Sequence, residues 1–128
     1  MNTANRWILI AAISGALGVL AGSYGWHGLA AGSMERDVFN TGVQYQMWHT
    51  LALLGVAWLT DARQGTSAAT WANRAGWLFV VGMVLFSGST YFYGLFSDIP
   101  FQGSAPAGGI ALIAGWLLLA VAATRPVK

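Results

Sequence analysis

Residues 7–28, WILIAAISGALGVLAGSYGWHG, run from Trp7 to Gly28 without a charged side chain. A hydrocarbon core about 30 Å thick is crossed by roughly 20 apolar residues in an α-helix, so this stretch is long enough to span a bilayer. A helix is the form lipid demands, because each unpaired peptide group there costs several kcal/mol. Working outward, the pattern recurs. No charge falls between Asp37 and Asp61, between Arg74 and Asp98, or between Asp98 and Arg125. Four spans are therefore predicted, at Trp7–Gly28, Val43–Thr60, Ala75–Leu95 and Pro106–Thr124. The expected fold is an all-α membrane protein, with residues 1–128 forming one four-helix transmembrane domain. Continuous apolar runs exclude a transmembrane β-barrel, whose strands alternate over about ten residues.

Composition agrees. Of 128 residues, 8% are charged and 56% hydrophobic, and the mean hydropathy is +0.58. A soluble domain carries roughly 25% charged residues, and this chain has too few to cover a surface in water. Six basic and four acidic side chains cannot form a nucleic-acid footprint. The chain has no cysteine, which excludes disulfides, thiolate metal sites, iron–sulfur clusters and covalently attached haem.

Basic residues set the expected orientation. Arg6, Arg63, Arg74, Arg125 and Lys128 fall at the N-terminus, the middle loop and the C-terminus, and only Arg36 falls in the first loop. Both termini are expected in the cytoplasm. Trp7, Trp58, Trp71 and Trp77 then mark the inner interface and Trp26 the outer one, while Trp48 and Trp116 lie deeper, as packing residues. The basic start and small residues of the first segment also suit a signal peptide; we expect a retained span. Ser33-Met-Glu-Arg-Asp37 reads as a capped helix start, predicting a short interfacial helix that runs into the second span. Ser97 to Ala105 reads as a turn, with Pro106 opening the fourth helix.

Small residues form stripes. Ala11, Gly15, Gly18, Gly22 and Gly25 repeat at spacings of a heptad seam, and Gly108, Ala111, Gly115 and Ala122 form a comparable stripe. Such residues let backbones approach closely in lipid. The seams serve either packing inside one bundle or a homo-oligomer contact.

Polar side chains concentrate in the expected outer half. Helix 2 carries Gln44, Tyr45, Gln46 and His49; helix 3 carries Ser87, Ser89, Thr90, Tyr91 and Tyr93. Tyr45 and His49 share a helix face, as do Ser87 and Tyr91. Together with Gln46 and His27 they make a candidate polar pocket. The bland alternative is a set of interhelical hydrogen bonds, with His27 an interfacial residue. A histidine inside a span is a functional-site hypothesis. Two histidines at different depths do not make a bis-histidine haem site, and a zinc site needs three or four ligands. No catalytic residue, metal or cofactor is assigned. No acidic residue lies within a span, which argues against proton coupling through a membrane carboxylate.

Four ordered stretches carry a resemblance: Gly22–Leu29 (GSYGWHGL), Thr41–His49 (TGVQYQMWH), Leu85–Tyr91 (LFSGSTY), and Pro106–Gly109 (PAGG) with Gly115-Trp116. Nearly the whole chain is similar to a family of small bacterial inner-membrane proteins known as domain of unknown function 423, which has a mitochondrial relative called transmembrane protein 256. The resemblance implies four spans in the bacterial inner membrane and no catalytic residues. Tyr24 and Trp26 depart from the alanine or phenylalanine-type residues usual around the first histidine. Two readings of function follow. One is a structural or accessory protein that self-associates or joins a larger membrane complex. The other is a small-molecule, lipid or ion binding or transport protein using the polar pocket; a quinone-contacting or proton-relaying role is a variant of it.

Overall fold

Serine, threonine and asparagine open three of the helices. Asn2 accepts from the Asn5 N–H at 2.8 Å, Ser33 from Arg36 at 3.2 Å and Thr66 from Ala69 at 3.5 Å, each satisfying one donor that a helix start leaves unpaired. The computed structural model describes residues 1–127. Its helices are α1 (Thr3–His27), α2 (Met34–Ala62), α3 (Ser67–Phe96) and α4 (Ser104–Ala123), with no strand among the described residues. Gly103, at φ +84°, starts α4 without a side-chain cap. Pro106 therefore occupies the third helical position rather than the first, still within the turn where a missing N–H costs nothing.

The segment read as a short interfacial helix is the first turns of α2, with no break before Ala62. At 29 residues α2 is about 43 Å long, longer than the span expected from its uncharged stretch. Three helices, α1, α3 and α4, are long and apolar enough to cross a membrane; α2 is long enough but more polar.

The distribution of side-chain size is inverted relative to a protein in water. Ala11, Ala57, Ala68, Ala72 and Ala75 are buried, as are Gly18, Gly25, Gly42, Gly82 and Gly108. Ile13, Leu17, Leu20, Leu51, Val84, Ile110, Ile113 and Leu117 are exposed. In water that surface would be one large aggregation-prone patch. In lipid, exposed aliphatic chains cost nothing, and association depends on close packing of small residues. Among the described residues the largest fully buried side chains are Trp7, Phe79, Leu53 and Val56, all part of one apolar core cluster.

The helices pack in chain order, α1 on α2, α2 on α3 and α3 on α4. Gly15, Gly18, Gly22 and Gly25 face Thr50, Met47, Val43 and Asn40 of α2, and Gly108 and Gly115 face Leu85, Phe86 and Phe79 of α3. Both seams are thus occupied within one chain. Trp7 anchors α1 to α3, its Nε1 donating to Asn73 Oδ1 at 3.1 Å, with Arg6 donating to the same oxygen at 2.9 Å.

Candidate functional site

The polar side chains that the sequence groups together lie on two sides of α2. On the α1 side, Tyr91 of α3 donates its hydroxyl to Gln46 Oε1. Gln46 Nε2 donates to the Ser14 carbonyl at 2.9 Å, and the Ser14 and Thr50 hydroxyls bond at 2.6 Å. This chain ties α3, α2 and α1 through one glutamine. Ser87 donates to the Gly42 carbonyl at 2.7 Å, one further tie between α3 and α2. Thr90 sits where a side chain on Gly42 would have to go, so the Thr90 side chain packs directly on the α2 backbone there.

On the other side, His49 is 4% exposed. Its Nδ1 lies 2.6 Å from the Tyr45 carbonyl, and Trp116 Nε1 lies 3.0 Å from its Nε2. A carbonyl only accepts and an indole N–H only donates. The ring is therefore the Nδ1–H tautomer, with both nitrogens occupied. Phe79 and Trp116 pack against it at centroid distances of 5.4 and 5.8 Å, and Tyr45 stacks at 6.1 Å. Phe86 packs against Tyr45 in turn, at 4.4 Å. Because α2 begins at Met34, His49 stands one residue past the midpoint of that helix.

Of the six candidate pocket residues, the structure brings Gln46, Ser87 and Tyr91 together, joins Tyr45 and His49 in a second cluster, and leaves His27 exposed at the end of α1. The first three line an open groove of about 450 Å³ between α1 and α3, walled by Ile10, Ile13, Leu17, Val80, Met83 and Val84. The groove runs along the outside of the bundle. Among the described residues no three of His, Cys, Asp and Glu gather closely enough to hold a metal. A second, polar recess of about 500 Å³ lies at the end carrying both termini, lined by Asn2, Thr60, Asp61, Gln64, Thr66 and Asn73 among others.

Sequence reading missed the partners. Ser14, Thr50 and Asn73 complete the ties, and Trp116 does more than pack. Ser14 and Thr50 were visible as isolated hydroxyls in apolar helices, each needing an acceptor in lipid. Trp116 carried a similar signal, an indole N–H far from either interface.

Comparison with known proteins bears on the same residues. The model of a protein family of unknown function, DUF423, matches residues 21–109, which contain Gln46, His49, Ser87 and Tyr91. The chain belongs to the DUF423 family. The UPF0382 membrane protein YwdK of Bacillus subtilis is 40% identical, covering 93% of this chain and 96% of its own length. The UPF0382 inner membrane protein YgdD of Escherichia coli K12 is 36% identical over 96% of this chain and 92% of its own. A Staphylococcus epidermidis UPF0382 membrane protein is 33% identical over 93% and 95%. No solved structure matches. Family membership and apolar helices together make this chain a helical membrane protein, akin to proteins of the bacterial inner membrane.

Proposed function

We propose that this DUF423 protein is an accessory subunit of the bacterial inner membrane, a single four-span domain with both termini cytoplasmic that self-associates or joins a larger membrane complex. α2 is the fourth span. It packs between α1 and α3, and a helix held between two spans crosses with them. Four crossings return the chain to its starting side, and the basic residues put that side in the cytoplasm.

One observation carries the accessory reading: the polar groups inside the helices are spent on one another. Gln46, His49, Ser87 and Tyr91 each have internal partners. What the exterior offers is apolar relief, above all the groove between α1 and α3. At Gly88, which lines that groove, nothing lies within 4 Å of an added Cβ. A helix of a neighbouring subunit fits such a groove as small-residue packing requires.

The test is Gly88→Trp, which fills the groove without touching an internal contact. Subunit counting by single-molecule photobleaching in bilayers should show fewer chains per spot, with helicity unchanged. Unaltered stoichiometry and unaltered co-purifying proteins would sink the proposal. A second reading, a lipid-like small molecule in the groove, is favoured by Gln46, Ser87 and Tyr91 on its wall. It predicts a stoichiometric extra mass in native mass spectrometry that Gly88→Trp removes.

A further inference from the structure

We propose that Arg74 and Arg125, held on the Trp71 indole at the end of the bundle carrying both termini, bind the phosphodiester headgroup of an anionic phospholipid. Their Cζ atoms lie 4.9 and 5.4 Å from the centre of the same ring. One arginine comes from α3 and the other from the segment after α4, so the fold converges two cations on one aromatic face system. Two like charges so placed repel each other, and the arrangement gains most from an anion shared between them. Stacking uses the guanidinium faces and leaves the N–H edges free, and those edges match phosphate oxygens in bidentate geometry.

Arg6 provides an internal contrast. It lies 5.5 Å from the rings of both Trp7 and Trp77, but its Nη2 is committed to Asn73. Arg74 and Arg125 are exposed and have no side-chain hydrogen-bond partner among the described residues. The carboxylate at this end, Asp61, lines the recess beside α1 with Asn2 and Gln64. Glu35, Asp37 and Asp98 belong to the opposite end. Among the described residues, charge at this end is thus mostly basic, and an anion from outside would neutralise it. Trp7, Trp71 and Trp77 place the cluster at the level of a membrane interface, where anionic headgroups attract basic side chains. That level selects a lipid phosphate over one free in solution.

The experiment is native mass spectrometry of the full chain from mixed micelles containing dioleoyl-phosphatidylglycerol or dioleoyl-phosphatidylcholine at matched concentration. The natural chain should retain phosphatidylglycerol preferentially. R74Q/R125Q should reduce that preference about fivefold per arginine removed. R36Q, which removes the arginine lying 4.3 Å from Trp26 at the other end, should leave it intact. Circular dichroism shows whether each variant folds. Should the double variant not fold, ionic strength replaces it: added ammonium acetate should shrink the natural chain's preference. Equal retention of the two lipids, a preference unchanged in folded R74Q/R125Q, or indifference to ionic strength would overturn the proposal. Inorganic phosphate at the lipid's concentration should not displace phosphatidylglycerol; displacement would overturn the assignment to a lipid.

Discussion

Along α1, a methyl group added to a seam glycine meets side chains: Thr50 at Gly15, Met47 at Gly18, Val43 at Gly22. Along α4, it meets the backbone of Leu85 and Phe86 at Gly108, and the Phe79 ring, 2.7 Å away, at Gly115. Both stripes consist of glycine and alanine alone, yet the helices they join approach differently. The difference follows from what else holds each helix. α1 is tied to α2 by Ser14 with Gln46 and Thr50, so it can stand off by a side chain. α4 has few polar side chains, among them Ser104 bonded to Ser89 at 2.7 Å and Trp116 bonded to His49. It must gain its stability from dispersion at close range, which falls off within an ångström of contact. In lipid, small residues and hydrogen bonds are alternative ways of holding helices together, and this bundle uses each where the other is scarce.

That contrast predicts an order of effects. Gly108→Leu should be the most damaging substitution, because the backbone facing it cannot move aside; a loss of about 3 kcal/mol or more is expected, read as loss of folded protein in thermal or SDS denaturation. Gly18→Leu meets the Met47 thioether, a flexible end that can swing away, so about 1–2 kcal/mol is expected. Equal losses at the two positions would mean that the seams are equivalent after all.

Trp116→Phe tests the bond that compensates for the bareness of α4. It keeps an aromatic ring against Phe79 but leaves His49 Nε2 without a donor. A loss of about 1 kcal/mol is expected, with a nitrogen chemical shift at His49 marking the unpaired Nε2. A stability equal to that of the natural chain would show the indole bond to be incidental.

The number of helices was legible because charges and Gly-rich turns punctuate the chain. The starts of α2 and α3 were not: α3 begins at Ser67, ahead of the expected Ala75 and with Arg74 inside it, and Glu35, Arg36 and Asp37 of α2 look like loop residues. Ser33 caps them into a helix instead, and that puts His49 near the middle of α2. The same-face pairs Tyr45/His49 and Ser87/Tyr91 were readable from spacing alone. Their separation was not. Spacing fixes which residues share a face of one helix, and only the neighbours packed against that helix fix where each face points. Gln46 and His49, three residues apart, turn to α1 and to α4 because α2 is flanked on both sides.

The smallest effect is expected far from either seam, where α2 begins and α3 ends. Glu35 accepts from the Ser97 hydroxyl at 2.9 Å, a tie outside the expected spans. Its own backbone N–H, and then Ser97, hold the Glu35 carboxyl below its usual value of about 4.5. A carboxyl whose pKa is depressed by folding stabilises the fold above the unfolded-state value, and that contribution disappears as pH falls through the lower folded-state value. Glu35→Gln should therefore differ from the natural chain only slightly at neutral pH, since the group is exposed to solvent and screened. The difference should close below pH about 4.5. Thermal denaturation of both proteins across that range decides the matter. Parallel curves would mean that the tie contributes nothing, and that the join between α2 and α3 rests on the deeper contacts of Gln46 with Tyr91 and of Gly42 with Ser87 and Thr90.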